Sequence, residues 1–573
     1  MTSPMATLDN GKRWAILGSI MLGLFLSAMD QTVVGTAMPR IIADMSGLKL
    51  YSWVFTSYML ASTTVVPIVG KMGDIYGRKN FFLAGIVIFL IGSMLSGMSQ
   101  TMVQLIVFRG VQGVGGGFIF ANAFALLGDL FTPSERGRYA GIMSSVFGLA
   151  SVIGPLVGGG ITDHLNWRWV FYVNIPLGIV ALIVLAYVLP ASERHAARKR
   201  VDYIGAVALA LSIVPLLLGF SWAGTDYAWT SPQVVVPFAV AAVMMVTFVV
   251  IERRAEDPVI PLSLFKNPIF AVATAVTFVS GAAMFAGTLY IPLFMQGVLD
   301  FSAINAGLVL TPMTLAMVAG SMISGQLVSR TSHYKAMIVS GLAVATGGLF
   351  LLSLLDTGSS RLSGMEAMAV VGFGLGLSFP ALVLATQNAA PYSMMGVTTS
   401  LNQFSRSVGG TIGVAIMGSI LTRRLNSELA SNLPADVQQG APAPLLAALK
   451  NPRVLLDDNA LSRLRDQGFG SVFGADGPRL FNEALASMKA SLATSIGEVF
   501  LVATVFMATA FVISLFLREV PLRKTHEMPS AFEAPSNADA AATAGAGPSM
   551  TPQPSLRPAT EHASLRLQDR DGA

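Results

Sequence analysis

Runs of about twenty apolar residues, the length an α-helix needs to cross a ~30 Å hydrocarbon core, recur along nearly the whole of this 573-residue chain. Such runs fold as helices in lipid, because a helix satisfies every backbone N–H and C=O within itself. Fourteen spans are predicted, at residues 14–36, 53–71, 81–98, 104–127, 139–161, 170–189, 203–221, 233–251, 269–292, 304–328, 337–355, 365–388, 396–420 and 492–517. At 53% hydrophobic and 12% charged residues, the chain is far too apolar for a water-soluble domain. An all-α, polytopic membrane protein is the expected fold class.

The placement of basic residues sets the expected orientation. Lys71, Arg78, Lys79, Arg136, Arg138, Arg194, Arg198, Lys199, Arg200, Arg253, Arg254, Lys266, Arg330 and Lys335 fall in alternate loops. The intervening loops carry only Arg40, Lys49, Arg168 and Arg361. Basic loops stay inside, so both termini are expected in the cytoplasm and the chain in the cell (inner) membrane. The net charge of +5 then reflects loop placement rather than nucleic-acid binding. The chain has no cysteine, which excludes disulfides, thiolate metal sites and cysteine nucleophiles. Lys12 and Arg13 before the first apolar run read as the flank of an uncleaved span.

Two stretches depart from the pattern of helices and short loops. Residues 421–491 form a long expected outside connection with Leu425, Leu429, Leu433, Leu455, Leu456, Leu461 and Leu464 among charges, a spacing that suggests short amphipathic helices. They read either as a structured cap or as a lid for apolar cargo. The tail 518–573 is expected in the cytoplasm and, rich in Ala, Pro, Ser and Thr beyond Pro529, largely disordered.

After the second span comes Gly70-Lys71-Met72-Gly73-Asp74-Ile75-Tyr76-Gly77-Arg78-Lys79, and after the tenth a degenerate copy, Gly325 to Lys335, with Arg330 inside it. Self-similarity at this separation is what two related transporter halves leave in sequence. Glycines permit close packing and tight turns. Asp74 breaks the basic pattern and can pair with Arg78, Arg136 or Arg138, so the cluster can hold one side of the bundle shut. Turn glycines with inside-positive charge are the simpler reading, adequate for Lys79 and Lys335.

The string Gly70 to Lys79 resembles the loop 2–3 signature of the major facilitator superfamily, with Ile75 where an arginine is common. Leu105 to Gly117, which includes Arg109 and Gln112, is similar to the fourth-helix signature. Gly154-Pro155-Leu156-Val157-Gly158-Gly159 is similar to the fifth-helix antiporter motif. Met29 to Pro39 and Trp167 to Pro176 resemble the fourteen-helix drug:proton antiporter branch, with Gly35 where many relatives carry asparagine. The resemblance covers roughly residues 12 to 525. It implies two six-helix bundles, at 14–189 and 269–517, with two inserted helices in 190–268 and a short cytoplasmic segment at 1–13. It also implies proton-coupled export of small amphipathic or cationic compounds by alternating access, with no cofactor beyond the proton gradient. A monomer is compatible with the sequence, which does not fix the oligomeric state.

Individual residues add chemistry to this frame. Asp30 sits inside the first span, where a carboxylate is expensive unless paired, hydrated or protonated. Arg109 enters the fourth span at a similar depth, about 8–10 Å below the outer surface at 1.5 Å per residue. The two can meet if their helices are neighbours. Paired, the carboxylate stays ionised; when the contact loosens, its proton affinity rises. The resemblance assigns proton coupling to these positions, and a structural ion pair is the alternative. Gly154, Pro155, Gly158 and Gly159 remove bulk and a backbone hydrogen bond from the fifth span, which the resemblance reads as a seal against proton leak and packing alone explains as well. Candidate cavity residues are Gln112, Asn402, Gln403 and Arg406, with Glu498 of the last span sharing the compartment of Arg406.

No phosphate-binding Gly-x-x-x-x-Gly-Lys-Ser/Thr loop occurs, so an ion gradient is the expected energy source. The five histidines are scattered without metal-ligand spacing, which disfavours an enzyme. Isolated buried charges are unlike the continuous polar stripe of a channel. A lipid, siderophore or metabolite exporter and an uptake symporter remain alternatives on the same fold.

Overall fold

The structure is a computed structural model that describes residues 9–45, 50–131, 133–189, 201–224, 227–301, 308–450, 454–455 and 458–520. All but the first three residues of the expected disordered tail lie outside the described residues, as do Lys49 and the basic run Arg194 to Arg200.

Among the described residues fourteen long helices follow one another: α1 Asn10–Met45, α2 Tyr51–Tyr76, α3 Arg78–Met98, α4 Met102–Leu130, α5 Pro133–His164, α6 Asn174–Val188, α7 Tyr203–Trp222, α8 Pro232–Glu252, α9 Pro268–Gly297, α10 Leu310–Thr331, α11 Lys335–Ser353, α12 Arg361–Asn388, α13 Met395–Asn432 and α14 Gly477–Leu515. Thirteen described helices are long and apolar enough to cross a membrane. The expected span at 304–328 is present as α10 but is not among them, because Thr311, Thr314, Gly320, Ser321, Ser324, Gly325 and Gln326 dilute its apolar run. Local signals start the helices where loops end. The Thr101 side chain accepts from Gln104 N–H at 3.2 Å, Asp202 from Gly205 N–H at 2.7 Å, and Asn267 from Ile269 N–H at 3.0 Å ahead of Pro268, each satisfying an amide that its helix leaves unpaired.

The pairing of helices repeats. In the first six, α1 packs on α5 and α6, α2 on α4, and α3 on α4 and α6; in the last six, α9 packs on α13 and α14, α10 on α12, and α11 on α12 and α14. The sets meet chiefly where α5 packs on α10 and α2 on α13, with smaller contacts of α4 with α13 and α5 with α12. The pair α7 and α8 pack on each other, and α7 also touches α2 and α13. The degenerate second motif repeats the first in structure as well. Lys79 at the start of α3 donates to the Ala186 carbonyl at 2.8 Å and to that of Leu189, past the end of α6. Lys335 at the start of α11 donates to the Leu515 carbonyl at 2.9 Å, at the end of α14. In both places an ammonium meets the negative end of a helix.

The expected connection 421–491 is shorter than the sequence suggested. The helix α13 runs on to Asn432 and α14 begins at Gly477, so Leu425 and Leu429 are buried on α13 itself. Between them lie short helices at Ala435–Gly440, Ala443–Leu449, Asp458–Arg463 and Gly470–Phe473. Val437, Leu445, Leu449, Leu464 and Phe469 join Leu480 and Phe481 of α14 in one apolar cluster. Phe469 lies 5.6 Å from both Phe473 and Phe481, centroid to centroid.

Candidate functional site

A polar network is sealed inside the first six helices. Arg109 of α4 forms an ion pair with Asp30 of α1, both essentially without exposure. Gln112 bridges them, donating to Asp30 Oδ1 at 2.8 Å while accepting from Arg109 Nη1 at 2.9 Å. Asn174, at the start of α6, donates to the same Asp30 oxygen at 3.3 Å and to Ser93 Oγ at 3.0 Å. The guanidinium lies 4.5 Å from the Tyr58 ring, whose hydroxyl meets Ser27 Oγ at 2.8 Å. One carboxylate therefore gathers donors from α4 and α6, and Arg109 Nη2 is buried with no hydrogen-bond partner among the described residues. The expected neighbourhood of the first and fourth spans holds. Tyr58, Ser93 and Asn174 were not singled out in the sequence, since neutral polar residues in helices often bond their own backbone, as Thr346 does with the Leu342 carbonyl.

At one end of the bundle, Asp74 in the last turn of α2 joins the two sets of helices. Its carboxylate accepts from Arg78 Nη2 at 2.7 Å and Nε at 3.1 Å, and Arg78 also pairs with Asp129 of α4. The same carboxylate accepts from the backbone N–H of Gly396 and Val397, each at 2.9 Å. These amides open α13, where the helix leaves donors unsatisfied and the macrodipole favours an anion. Glycines make the approach possible: a Cβ on Gly70 would overlap Ser400, and one on Gly396 would stand 2.5 Å from Asp74 Oδ1. Gly77 has φ +99°, a conformation that L side chains rarely adopt. Nearby, a Cβ on Gly325 of α10 would overlap the Gly137 backbone of α5.

Arg136 and Arg138 do not pair with Asp74 as the sequence allowed. Arg136 is buried and donates to the Phe131 and Gly128 carbonyls at 3.0 and 2.8 Å, closing the end of α4. Arg138 is exposed beside the Tyr139 ring. Arg330 is exposed in the last turn of α10, so the second motif does not bring it to Asp74 either.

The glycine motif of α5 divides in two. Gly154 and Gly158 face α1, where a Cβ would overlap Thr32 and Thr36 respectively, while a Cβ on Gly159 meets nothing within 4 Å. Pro155 is exposed. Thr32 Oγ1 donates to the Ala150 carbonyl at 3.1 Å across the same contact. Gly154→Leu is accordingly expected to destabilise the purified protein by about 3 kcal/mol or more through overpacking. Gly159→Leu is expected to change its thermal midpoint little. Thermal unfolding of the two variants in detergent checks this contrast.

In the last six helices, Arg406 stacks 4.1 Å from the Phe379 ring centroid and donates to Asn402 Oδ1 at 3.4 Å. Asn402 donates in turn to Thr277 Oγ1 at 3.1 Å, and Gln403 is half-buried one turn away. The structure separates Glu498 from Arg406. Glu498 is half-exposed and pairs with Arg424 at 2.9 Å. The reason is the length of α13: at 1.5 Å per residue, Arg424 lies roughly 27 Å along the helix from Arg406. At that far end, Trp167 and Arg168 of the fifth quoted motif both donate to Asp44, at 3.0 and 3.2 Å. Glu252, which closes α8, is a further buried carboxylate that the sequence did not single out, because it adjoins the basic pair Arg253-Arg254 in an expected loop.

Comparison with known proteins places the chain firmly. The family model described as Major Facilitator Superfamily matches residues 20–414. The multidrug transporter protein MdtP of Bacillus subtilis is 37% identical over 539 residues, 92% of this chain and 98% of the relative. Multidrug resistance protein 3 of the same organism is 37% identical over 516 residues, 90% and 97% of the two chains. Among solved structures, the proton:xylose symporter XylE bound to 6-bromo-6-deoxy-D-glucose matches with a TM-score of 0.56 at 12% identity, over 91% of this chain and 99% of that one.

Proposed function

Because the chain belongs to the major facilitator superfamily and is a multi-pass membrane transporter rather than an enzyme, we propose that it is a proton-coupled antiporter that exports small amphipathic or cationic compounds from the cell by alternating access. The observation that carries this reading is the buried Asp30 carboxylate shared by Arg109, Gln112 and Asn174. An ion pair at this depth stays charged while its donors surround it, and gains proton affinity when one of them withdraws. A rearrangement of α1 against α4 and α6 therefore loads or releases a proton without any other cofactor. Cargo binding in the cavity between the halves and protonation of Asp30 compete for the same conformational change.

The conformer fits one half of such a cycle. Contacts between the two sets of helices gather at the Asp74 end, through Gly396 and Val397, through Gly137 and Gly325, and through Gln387, which donates to the Phe124 carbonyl at 3.4 Å. Basic residues concentrate at this end, which makes it the cytoplasmic side by the inside-positive rule. In this reading both termini are cytoplasmic, the membrane is the cell membrane, and the gate stands closed toward the cytoplasm. One relative is named a multidrug transporter and another a multidrug resistance protein, which favours amphipathic drugs as cargo.

The test is efflux of a lipophilic cationic dye from proteoliposomes containing the native chain. With an imposed gradient of one pH unit, each coupled proton supplies about 1.4 kcal/mol. Electroneutral exchange is then expected to hold the dye about tenfold from equilibrium. An equal dye distribution with and without the gradient would contradict the reading.

A further inference from the structure

Glu252 stands where a helix least favours an acid. It closes α8, and the last turn of a helix carries the negative end of its dipole. The residue is nonetheless only 4% exposed. Its Oε1 turns forward along the chain and accepts from the backbone N–H of Val259 at 3.1 Å and Ile260 at 3.3 Å. Its Oε2 is buried with no hydrogen-bond partner among the described residues. Lys71 of α2 and Asp202, which precedes α7, lie within electrostatic reach, and Lys71 is itself buried.

The two amides held in this way belong to the elbow at 253–267 that joins α8 to α9. Its side chains reach the seam between the halves. Val259, Ile260 and Leu264 share a buried apolar cluster with Ala390, Val397 and Leu401, and Leu60 and Ile68 of α2 pack against it. Val397 is the residue whose N–H Asp74 accepts. A second link runs beside the first, for Tyr76, two residues after Asp74, lies within electrostatic reach of Tyr203 at the start of α7. At the opposite end of the pair, Trp222 meets Trp53 of α2 at 5.8 Å, and Trp229 donates to Ser419 of α13 at 2.8 Å. The inserted pair thus touches both halves at both ends.

We propose that Glu252 is a positioning residue for the gate: it folds the elbow back so that Val259 and Ile260 form the apolar support of Val397, and the inserted pair thereby biases the Asp74 end toward closure. This rests on reading the Asp74 contact as a gate. Contacts made in only one of two states shift the equilibrium toward that state by their own free energy. The inserted helices then act as a clamp that a twelve-helix arrangement lacks. Glu252 acts through the backbone and touches no cargo.

The chain has no cysteine, so spin labels can be attached at Arg138→Cys and Gln326→Cys, two exposed positions flanking the approach of Gly137 to Gly325. Label-to-label distances in the full chain, in lipid nanodiscs, report gate closure. The labelled parent is expected to give a predominantly short distance. Glu252→Ala is expected to move at least half of that population to longer distances, and Glu252→Gln, which keeps an oxygen for both amides, to restore it nearly to the parent level. Ile260→Ala trims the same support with Glu252 intact and is expected to shift the distribution in the direction of Glu252→Ala, so the test survives if the latter fails to insert. Asp74→Asn in the same background separates the two layers of the argument. If it opens the gate while Glu252→Ala and Ile260→Ala do not, the role of Glu252 is overturned alone. If none of the three changes the distances, the gate reading beneath it falls as well. A Glu252→Gln distribution as long as that of Glu252→Ala would overturn positioning through the amides.

Discussion

Asp30→Asn is expected to abolish gradient-driven accumulation while leaving the chain inserted in the membrane. Asparagine keeps an oxygen for Gln112 and Asn174, which donate to Oδ1 in the native chain, so the local packing of α1 against α4 and α6 survives. It cannot take up or release a proton. In vesicles with one pH unit imposed, the dye ratio should fall from about ten to about one. Downhill movement of dye can persist, since the substitution removes the titrating group and leaves the proposed path of the cargo between the halves in place. The substitution also leaves Arg109 as a buried cation without its carboxylate, which in comparable buried pairs costs about 3–5 kcal/mol. Tracer flux with and without the gradient separates lost coupling from lost protein. A variant that still concentrates dye would place the coupling proton elsewhere.

The second large effect is expected at the partner. Arg109→Met removes the guanidinium that pairs with Asp30 and receives the Tyr58 ring, leaving a carboxylate in an apolar interior. A loss of about 3–5 kcal/mol is expected for the single variant. Asp30 then lacks the partner whose approach and withdrawal the proposed coupling needs, so coupling disappears together with stability. Combining Arg109→Met with Asp30→Asn removes both charges. The pair of substitutions should be less damaging to stability than the sum of the two, with a coupling energy of roughly 2 kcal/mol or more. Chemical unfolding of the four proteins in one detergent measures this cycle. Additive losses would mean that the two residues stabilise the fold independently.

Much of the architecture was legible in the sequence because a bilayer imposes length. A helix must cover the hydrocarbon core, so each long apolar run becomes a helix whatever its neighbours do. Even α10, too rich in small and polar residues to count among the thirteen apolar spans, kept its place between the expected ninth and eleventh. Depth was legible for the same reason. Asp30 and Arg109 each sit a known number of residues into a span, and equal depth on neighbouring helices is enough to bring them together.

What stayed hidden depends on geometry that residue types do not encode. The partners of Asp74 include two backbone amides 322 and 323 residues away, and an amide at the start of a helix has no side-chain signature. The sequence therefore offered Arg136 and Arg138 as partners, although Arg136 bonds carbonyls at the end of α4 instead. Glu498 was offered as sharing the compartment of Arg406 from the last span, although its depth differs from that of Arg406. Once the helix continues to Asn432, Arg424 reaches Glu498 first. Tyr58 and Asn174 enter the Asp30 network through their positions on α2 and at the start of α6, which only the packed bundle fixes.

The most direct measurement for the account is the simultaneous recording of dye and proton movement in the same proteoliposomes, with an outward dye gradient and no pH gradient at the start. Antiport predicts that dye leaving the vesicle drives protons into it, in a fixed ratio, and that reversing the dye gradient reverses both. Protons leaving together with the dye would instead establish symport, and dye movement without proton flux would contradict the coupling altogether.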